Sequence, residues 1–274
     1  MRQDAAHHPL MPDRVQGLLA PRTHGLPVLF PDDRDPERPA PEGDREEDEE
    51  PEKAGRHGEG LSFRAMRLVA DGLSRSFGTR KIIGPLSFSV ESGRVLGIAG
   101  ENGSGKTTLL KVLAGLIRPS EGHARIFLEG EEAESGYAPR DAPWCIGWVA
   151  PDLALYGELT AEENLDFLQR VRGLAPVPDR ARALLEGVGL PLDSHSKKPL
   201  GVLSTGQRQR VKLAYATLHE PGVLLLDEPG ANLDEAGRAI VQKVVAEQRG
   251  RGIAVIASND VRDLALADER LSLS

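Results

Sequence analysis

The nine residues "GENGSGKTT" at 100–108 constrain this chain more than any other stretch. They place Gly100, Gly105, Lys106 and Thr107 in a G-x-x-x-x-G-K-[ST] spacing. The apolar run "RVLGIA" (94–99) precedes them, and the helical pattern "KTTLLKVLAGLI" (106–117) follows. Strand, glycine-rich turn and helix in that order form a backbone cradle for phosphate. Glycine lets the chain wrap closely, so that several N–H groups converge as donors. The helix starting at Gly105 adds its positive end. The expected phosphate contacts are therefore Gly100, Asn102, Gly103, Ser104, Gly105, Lys106, Thr107 and Thr108.

The surrounding pattern alternates strands and helices. "LSFSV" (86–90) and "ARIFLEG" (124–130) read as strands, and "WCIGWVAP" (144–151) is a short apolar run ended by proline. In "TAEENLDFLQRVRG", Thr160 and Glu163 make a capping-box pattern, with Leu165, Leu168 and Val171 on one face. Further helices are expected over about 178–188, from Ser204 onward, and over 234–248. "GVLLLDEP" (222–229) is continuously apolar, as a parallel strand buried on both faces should be. A last strand is expected at 253–257. This order predicts an α/β fold with a parallel sheet, into which the helical block at about 152–220 is inserted. There is no internal repeat, so the chain holds one such unit.

Composition sets the other bounds. Residues 1–62 hold 8 Lys/Arg against 15 Asp/Glu and nine of the twenty prolines, whereas the remainder is close to neutral. A segment so charged and proline-rich cannot bury enough apolar surface to offset its ordering entropy. We read 1–62 as a disordered acidic extension, with Met66 as an alternative start, and 63–274 as the folded domain. Nothing resembles a basic nucleic-acid footprint, so no nucleic-acid partner is expected. No apolar run approaches the ~20 residues of a spanning helix, and the N-terminus lacks a secretory h-region. A soluble intracellular protein is expected, with any membrane crossing left to another chain. Cys145, the lone cysteine, offers neither a disulfide nor a zinc cluster and reads as packing.

"VLLLDEP" supplies a second half to the site. Four apolar residues deliver Asp227 to the end of a buried strand, with Glu228 one step on. Beside a phosphate loop, Asp227 and the Thr107 hydroxyl read as ligands of Mg2+. Lys106 reads as the cation for phosphate oxygens, and Glu228 as the group that polarises an attacking water.

"LSTGQRQRVKLAYA" (203–216) completes the pattern. Leu203-Ser204-Thr205-Gly206-Gln207 resembles the LSGGQ signature of the ABC-transporter ATPases, and the resemblance extends over essentially all of 66–274. It implies a P-loop ATPase fold of the ABC type, with a parallel sheet core, a small antiparallel β subdomain and an inserted helical subdomain. It also implies ATP and Mg2+ as ligands and a head-to-tail pair of subunits, identical or different. Each ATP is then sandwiched between one phosphate loop and the partner's Ser204, Gly206 and Gln207. Phe77 matches the aromatic that stacks on adenine. Asp234, in "ANLDEAGR", matches the loop that bridges subunits. Residues 152–165 match the segment that meets the permease, a separate transmembrane chain. The subunit would then sit on the cytoplasmic face of the cell membrane. The single nucleotide unit and the short run after Asn259 resemble the small export-type ATPases, including those for heme export in cytochrome maturation.

Two positions depart from that family. Pro151 stands where a glutamine usually ends the strand before the helical block. Asn259, in "VIASND" (255–260), stands where a histidine usually holds the γ-phosphate. A neutral amide can still donate one hydrogen bond there, but it cannot become cationic. With Lys106, Thr107, Asp227 and Glu228 intact, slowed hydrolysis is the favoured expectation. The alternatives are an ATP-binding module with weak or no hydrolysis, and a soluble ABC ATPase outside transport.

Overall fold

The computed structural model describes residues 66–129, 136–172, 177–190 and 197–273, all within the unit Ala54–Ser274. The expected disordered extension at 1–62 lies outside the described residues.

Two sheets organise the domain. Strands β1 (Met66–Phe77), β2 (Arg80–Glu91) and β4 (Glu121–Leu128) form an antiparallel sheet in the order β2-β1-β4. Strands β3 (Val95–Ala99), β5 (Ile146–Val149), β6 (Val223–Asp227), β7 (Ile253–Ser258) and β8 (Glu269–Ser272) form a parallel sheet in the order β5-β6-β7-β3-β8. Every residue of β6 and β7 is buried, which explains their unbroken apolar runs. Successive side chains on a strand point to opposite faces. Leu224, Leu226 and Ile256 therefore enter one core, and Val223, Leu225 and Val255 enter the other.

The first core is closed by helices α2 (Ala161–Val171), α3 (Pro178–Gly187) and α4 (Thr205–Thr217), which lie between β5 and β6 in the chain. Leu165, Leu185 and Leu213 are fully buried there. The second is closed by α1 (Lys106–Leu113) and the antiparallel sheet, through Leu109, Leu110, Leu68 and Ile83. Helix α5 (Glu235–Arg249) adds Val241, Val244 and Val245 to the first core, and the short α6 (Val261–Leu264) follows β7.

Several bounds differ from expectation. Helix α1 stops at Leu113 rather than 117, because Gly115 turns with φ +74° against the backbone of Pro139 and Arg140. Strand β2 runs back to Arg80, well before the apolar "LSFSV". Strand β8 and helix α6 were not anticipated. Strand β8 is four residues long at a sheet edge and is mostly exposed, so it carries no apolar run.

Register brings three strand ends to one edge. Ala99 of β3 lies opposite Ser258 of β7, and Asp227 of β6 lies opposite Ala257 of β7. In open parallel sheets, ligands bind outside these carboxyl ends.

Candidate functional site

The turn after β3 is shaped by left-handed glycines, Gly103 at φ +88° and Gly105 at φ +96°. Gly105 caps α1, and a Cβ there would lie 2.9 Å from the Ile82 carbonyl oxygen of β2. A side chain at 105 would therefore push the loop off the antiparallel sheet. Lys106 is 6% exposed, and its Nζ donates to the carbonyls of Gly100 (2.7 Å) and Glu101 (3.1 Å). These acceptors hold the ammonium inside the loop, where phosphate oxygens would compete for it. The Ser104 hydroxyl is buried without a hydrogen-bond partner. Thr108 sits in the first turn of α1, where backbone N–H groups have no partner within the helix.

At the neighbouring strand end, the Thr107 hydroxyl donates to Asp227 Oδ2 at 2.7 Å. Burial pushes the Asp227 carboxyl above the usual carboxylate range. The Thr107 bond opposes that rise, and the charge of Glu228 adds to it. Oxygen donors of this kind suit Mg2+. Among the described residues no group of three or more His, Cys, Asp or Glu could hold a metal ion. Two oxygen ligands with room for water and phosphate is the usual Mg2+ arrangement, so Thr107 and Asp227 fit the ion.

Glu228 has φ +47°, in the left-handed region that a non-glycine residue rarely adopts. Its N–H donates to the Ala257 carbonyl at 2.8 Å, which extends the β6–β7 ladder by one rung. The carboxylate then meets two groups: Lys106 Nζ at 3.9 Å from Oε1, and the Ser258 hydroxyl at 2.9 Å from Oε2. Ser258 Oγ also lies 2.9 Å from Asp263 Oδ2 and accepts from the Asp260 N–H. A hydroxyl has one hydrogen, so it serves one carboxylate at a time. Arg238 of α5 pairs with Asp260 at 3.0 Å and with Asp263 at 3.5 Å. Ser258, Asp263 and Arg238 were not identified from sequence. The serine hydroxyl within "VIASND" and the arginine within "ANLDEAGR" were the available signals.

Asn259 reaches the phosphate loop: its Nδ2 donates to Asn102 Oδ1 at 3.1 Å. Phe77 ends β1 and is 42% exposed, with the Arg75 guanidinium 4.3 Å from its ring centroid. Its hairpin abuts the loop through the contact of Ile82 with Gly105.

The signature helix α4 is closed by a full capping box. Ser204 Oγ accepts from the Gln207 N–H at 3.2 Å, and the Gln207 side chain accepts from the Ser204 N–H at 3.0 Å. Gly206 faces Asn232, where a Cβ would lie 3.2 Å from the carbonyl oxygen. Among the described residues, no hydrogen bond or ion pair joins Ser204, Gly206 or Gln207 to the phosphate loop of the same chain. Asp234 caps α5 through the Gly237 N–H at 2.8 Å and pairs with Arg210 of α4 at 2.9 Å.

Pro151 follows β5, and Asp152 pairs with Lys111 of α1 at 3.0 Å, its charge adding to the rise at Asp227. The loop at 152–160 is tied to helix α2 by Asn164. Its amide bonds to both N–H and C=O of Tyr156, whose ring packs edge-on against Phe167 at 5.0 Å. Cys145 is fully buried with its thiol pushed up to about 12, which makes it an inert packing residue. No helix among the described residues is long and apolar enough to cross a membrane.

A phosphate loop beside an acidic strand end, with an inserted helical block carrying a capped signature, defines an ATP-binding module of the ABC class. A family model described as ABC transporter matches residues 83–231. The chain is 33% identical over 208 residues to the lipopolysaccharide export system ATP-binding protein LptB of Haemophilus influenzae, covering 74% of this chain and 84% of that protein. It is 38% identical over 196 residues to the cytochrome c biogenesis ATP-binding export protein CcmA of Rhizobium meliloti, covering 70% of this chain and 90% of that protein. It is 41% identical over 181 residues to the Fe(3+) ions import ATP-binding protein FbpC 1 of Rhodococcus jostii, covering 66% of this chain but 51% of that protein. Among solved structures, a putative ABC transporter ATP-binding protein from Pyrococcus furiosus superposes with a TM-score of 0.64 at 26% identity, covering 76% of this chain and 97% of that one. The chain belongs to the ABC transporter ATP-binding family and is an ATP-binding subunit of that class.

Proposed function

We propose that this chain hydrolyses ATP as one half of a head-to-tail pair of ABC subunits and drives a separate membrane permease from the cytoplasmic face. The observation that carries this reading is the convergence of Lys106, Thr107, Asp227 and Glu228 at two strand ends, with Thr107 and Asp227 in contact at 2.7 Å. Lys106 exchanges its carbonyl partners for phosphate oxygens. Thr107 and Asp227 would hold Mg2+, which would draw charge off the phosphates. Glu228, held by Ser258, accepts a proton from water as the water oxygen attacks the γ-phosphorus. The bond from that phosphorus to the bridging oxygen breaks, and ADP leaves with the electron pair. Phe77, 42% exposed with the Arg75 guanidinium over its ring, is the residue assigned to adenine. Ser204, Gly206 and Gln207, unattached to their own loop, are free to meet the partner's ATP, and Asp234 lies beside them at the expected seam.

Residues 152–165 form the proposed permease-docking surface, with Asn164 hydrogen-bonded to the Tyr156 backbone within it. Relatives named for export and for import both match, and in this reading cargo and direction are assigned to the permease.

Steady-state ATPase of the purified chain tests the reading. Glu228→Gln should retain ATP binding and lose hydrolysis, whereas Lys106→Ala should weaken binding by about tenfold or more, the scale of a charged hydrogen bond. Equal hydrolysis by the wild type and Glu228→Gln would sink the enzymatic reading and leave an ATP-binding module, the alternative that Asn259 and Pro151 favour. Co-purification with a multi-span membrane protein separates a transport role from a soluble one.

A further inference from the structure

Pro151 leaves the strand end before the helical block without a polar side chain, yet that end is not idle. The Lys212 ammonium of α4 donates to the carbonyls of Ala150 (2.9 Å) and Pro151 (2.6 Å). The next residue, Asp152, is paired with Lys111 of α1, the phosphate-loop helix, at 3.0 Å. Three consecutive residues are thus clasped from both sides, by the signature helix and by the phosphate-loop helix.

The geometry of α4 makes the clasp consequential. Thr205, Arg208, Gln209 and Lys212 stand at i, i+3, i+4 and i+7, and so on one helix face. All four line a single cleft of about 370 Å³, whose other wall includes Pro151, Glu228 and Asn232. Lys212 sits about 10 Å along the helix from Thr205, at 1.5 Å per residue. On the same face the Gln209 amide donates to the Pro229 carbonyl, one residue beyond Glu228, at 3.2 Å. The signature face is therefore moored to the catalytic edge through backbone carbonyls. Burial draws the Lys212 ammonium below its ordinary value, with Asp152 opposing that shift and Arg208 adding to it, as expected for a cation held inside a subdomain boundary.

We propose that Lys212 is a positioning residue that replaces the missing side chain at 151: with the Lys111–Asp152 pair it couples the phosphate loop to the signature helix through the backbone of residues 150–152. This rests on the ATP-hydrolysing function proposed above. When phosphate enters the loop, α1 carries Lys111 and Asp152 with it, and Lys212 transmits the shift to α4.

The experiment compares wild type, Lys212→Met, Lys212→Arg, Asp152→Asn and the double variant Pro151→Gln/Lys212→Met in full-length chain. ATP affinity, steady-state hydrolysis and ATP-dependent amide hydrogen exchange at 150–155 are read in parallel. Lys212→Met should lose roughly tenfold in kcat while ATP affinity changes less than about threefold, the size of one lost charged hydrogen bond. It should also lose the ATP-dependent protection at 150–155. Lys212→Arg should keep most of both, and Pro151→Gln should restore hydrolysis to Lys212→Met. Asp152 is exposed, so Asp152→Asn decides the matter if Lys212→Met does not fold; it should show the same losses to a lesser degree. Wild-type kcat and exchange in Lys212→Met, or in Asp152→Asn when the first variant is unfolded, would overturn the coupling. A wild type that binds ATP without hydrolysing it defeats the proposed function alone, because the exchange comparison still decides the clasp.

Discussion

Asn259 shows how much can hang on one side chain. Its amide spans 157 residues of sequence to reach Asn102 in the phosphate loop. A charge-assisted bond is about twice as strong as a neutral one, and a neutral bond contributes about 1 kcal/mol net. Asn259→His is therefore expected to raise kcat by roughly fivefold in a steady-state assay. A rate at or below wild type would show that this amide does not limit turnover. If Asn259→Ala changes neither affinity nor rate, the residue is only part of the turn. At the same scale Lys106, Thr107, Asp227 and Glu228 were legible from sequence, since loop spacing and an apolar strand announce them. Ser258 and Arg238 were not, because a serine hydroxyl and a helix arginine have no local pattern that marks them as neighbours of a carboxylate.

At the scale of elements, caps were the most readable signals. Thr160 and Glu163 form the reciprocal box their spacing predicts, with Glu163 N–H to Thr160 Oγ1 at 3.2 Å and Thr160 N–H to Glu163 Oε2 at 2.7 Å. Thr160→Ala should cost about 1 kcal/mol, seen as a lower urea midpoint with an unchanged slope. A midpoint within error of wild type would mean the cap is not sensed by global unfolding. The Ser204–Gln207 box is equally local, and it orients the helix that carries Lys212. Element ends were less readable. Helix α1 ends early because Gly115 meets the 139–140 backbone, a contact that local sequence does not reveal. Strand β8 escaped notice because its partner β3 lies about 170 residues earlier and supplies the pairing that four exposed residues do not advertise.

For the whole molecule, the seam between the parallel sheet and the helical block stores a pH dependence. His219, half-buried after α4, lies with Nε2 3.0 Å from the Ile146 carbonyl, while its Nδ1 is buried without a hydrogen-bond partner. Burial pushes its pKa down to about 3, and the Arg172 charge adds to the shift. The folded state thus keeps this ring neutral while the unfolded chain protonates it near 6.5. Below pH 6.5 the unfolded state binds the extra proton, so stability is full above that value and falls as pH drops toward 3. Unfolding free energies from urea titrations between pH 7 and 4 should fall more steeply in wild type than in His219→Gln. The difference should approach at most ~1.4 kcal/mol per pH unit, and less because the ring is partly exposed. Parallel slopes would show that the ring is charged or solvated in the folded protein.

By itself, the sequence determined the features whose interactions close within a few residues: the phosphate turn, the capped helices, the buried strands and the acidic strand end. Thr107 and Asp227 meet across 120 residues, and Lys212 reaches Ala150 across 62, only because the strand order β5-β6-β7-β3-β8 sets their elements side by side. Local spacing cannot specify that order, since it arises from burying both faces of one sheet against two separate cores. Only the tertiary structure decided that residues 150–152 are held by lysines of two helices, Lys212 on the Ala150 and Pro151 carbonyls and Lys111 on the Asp152 carboxylate.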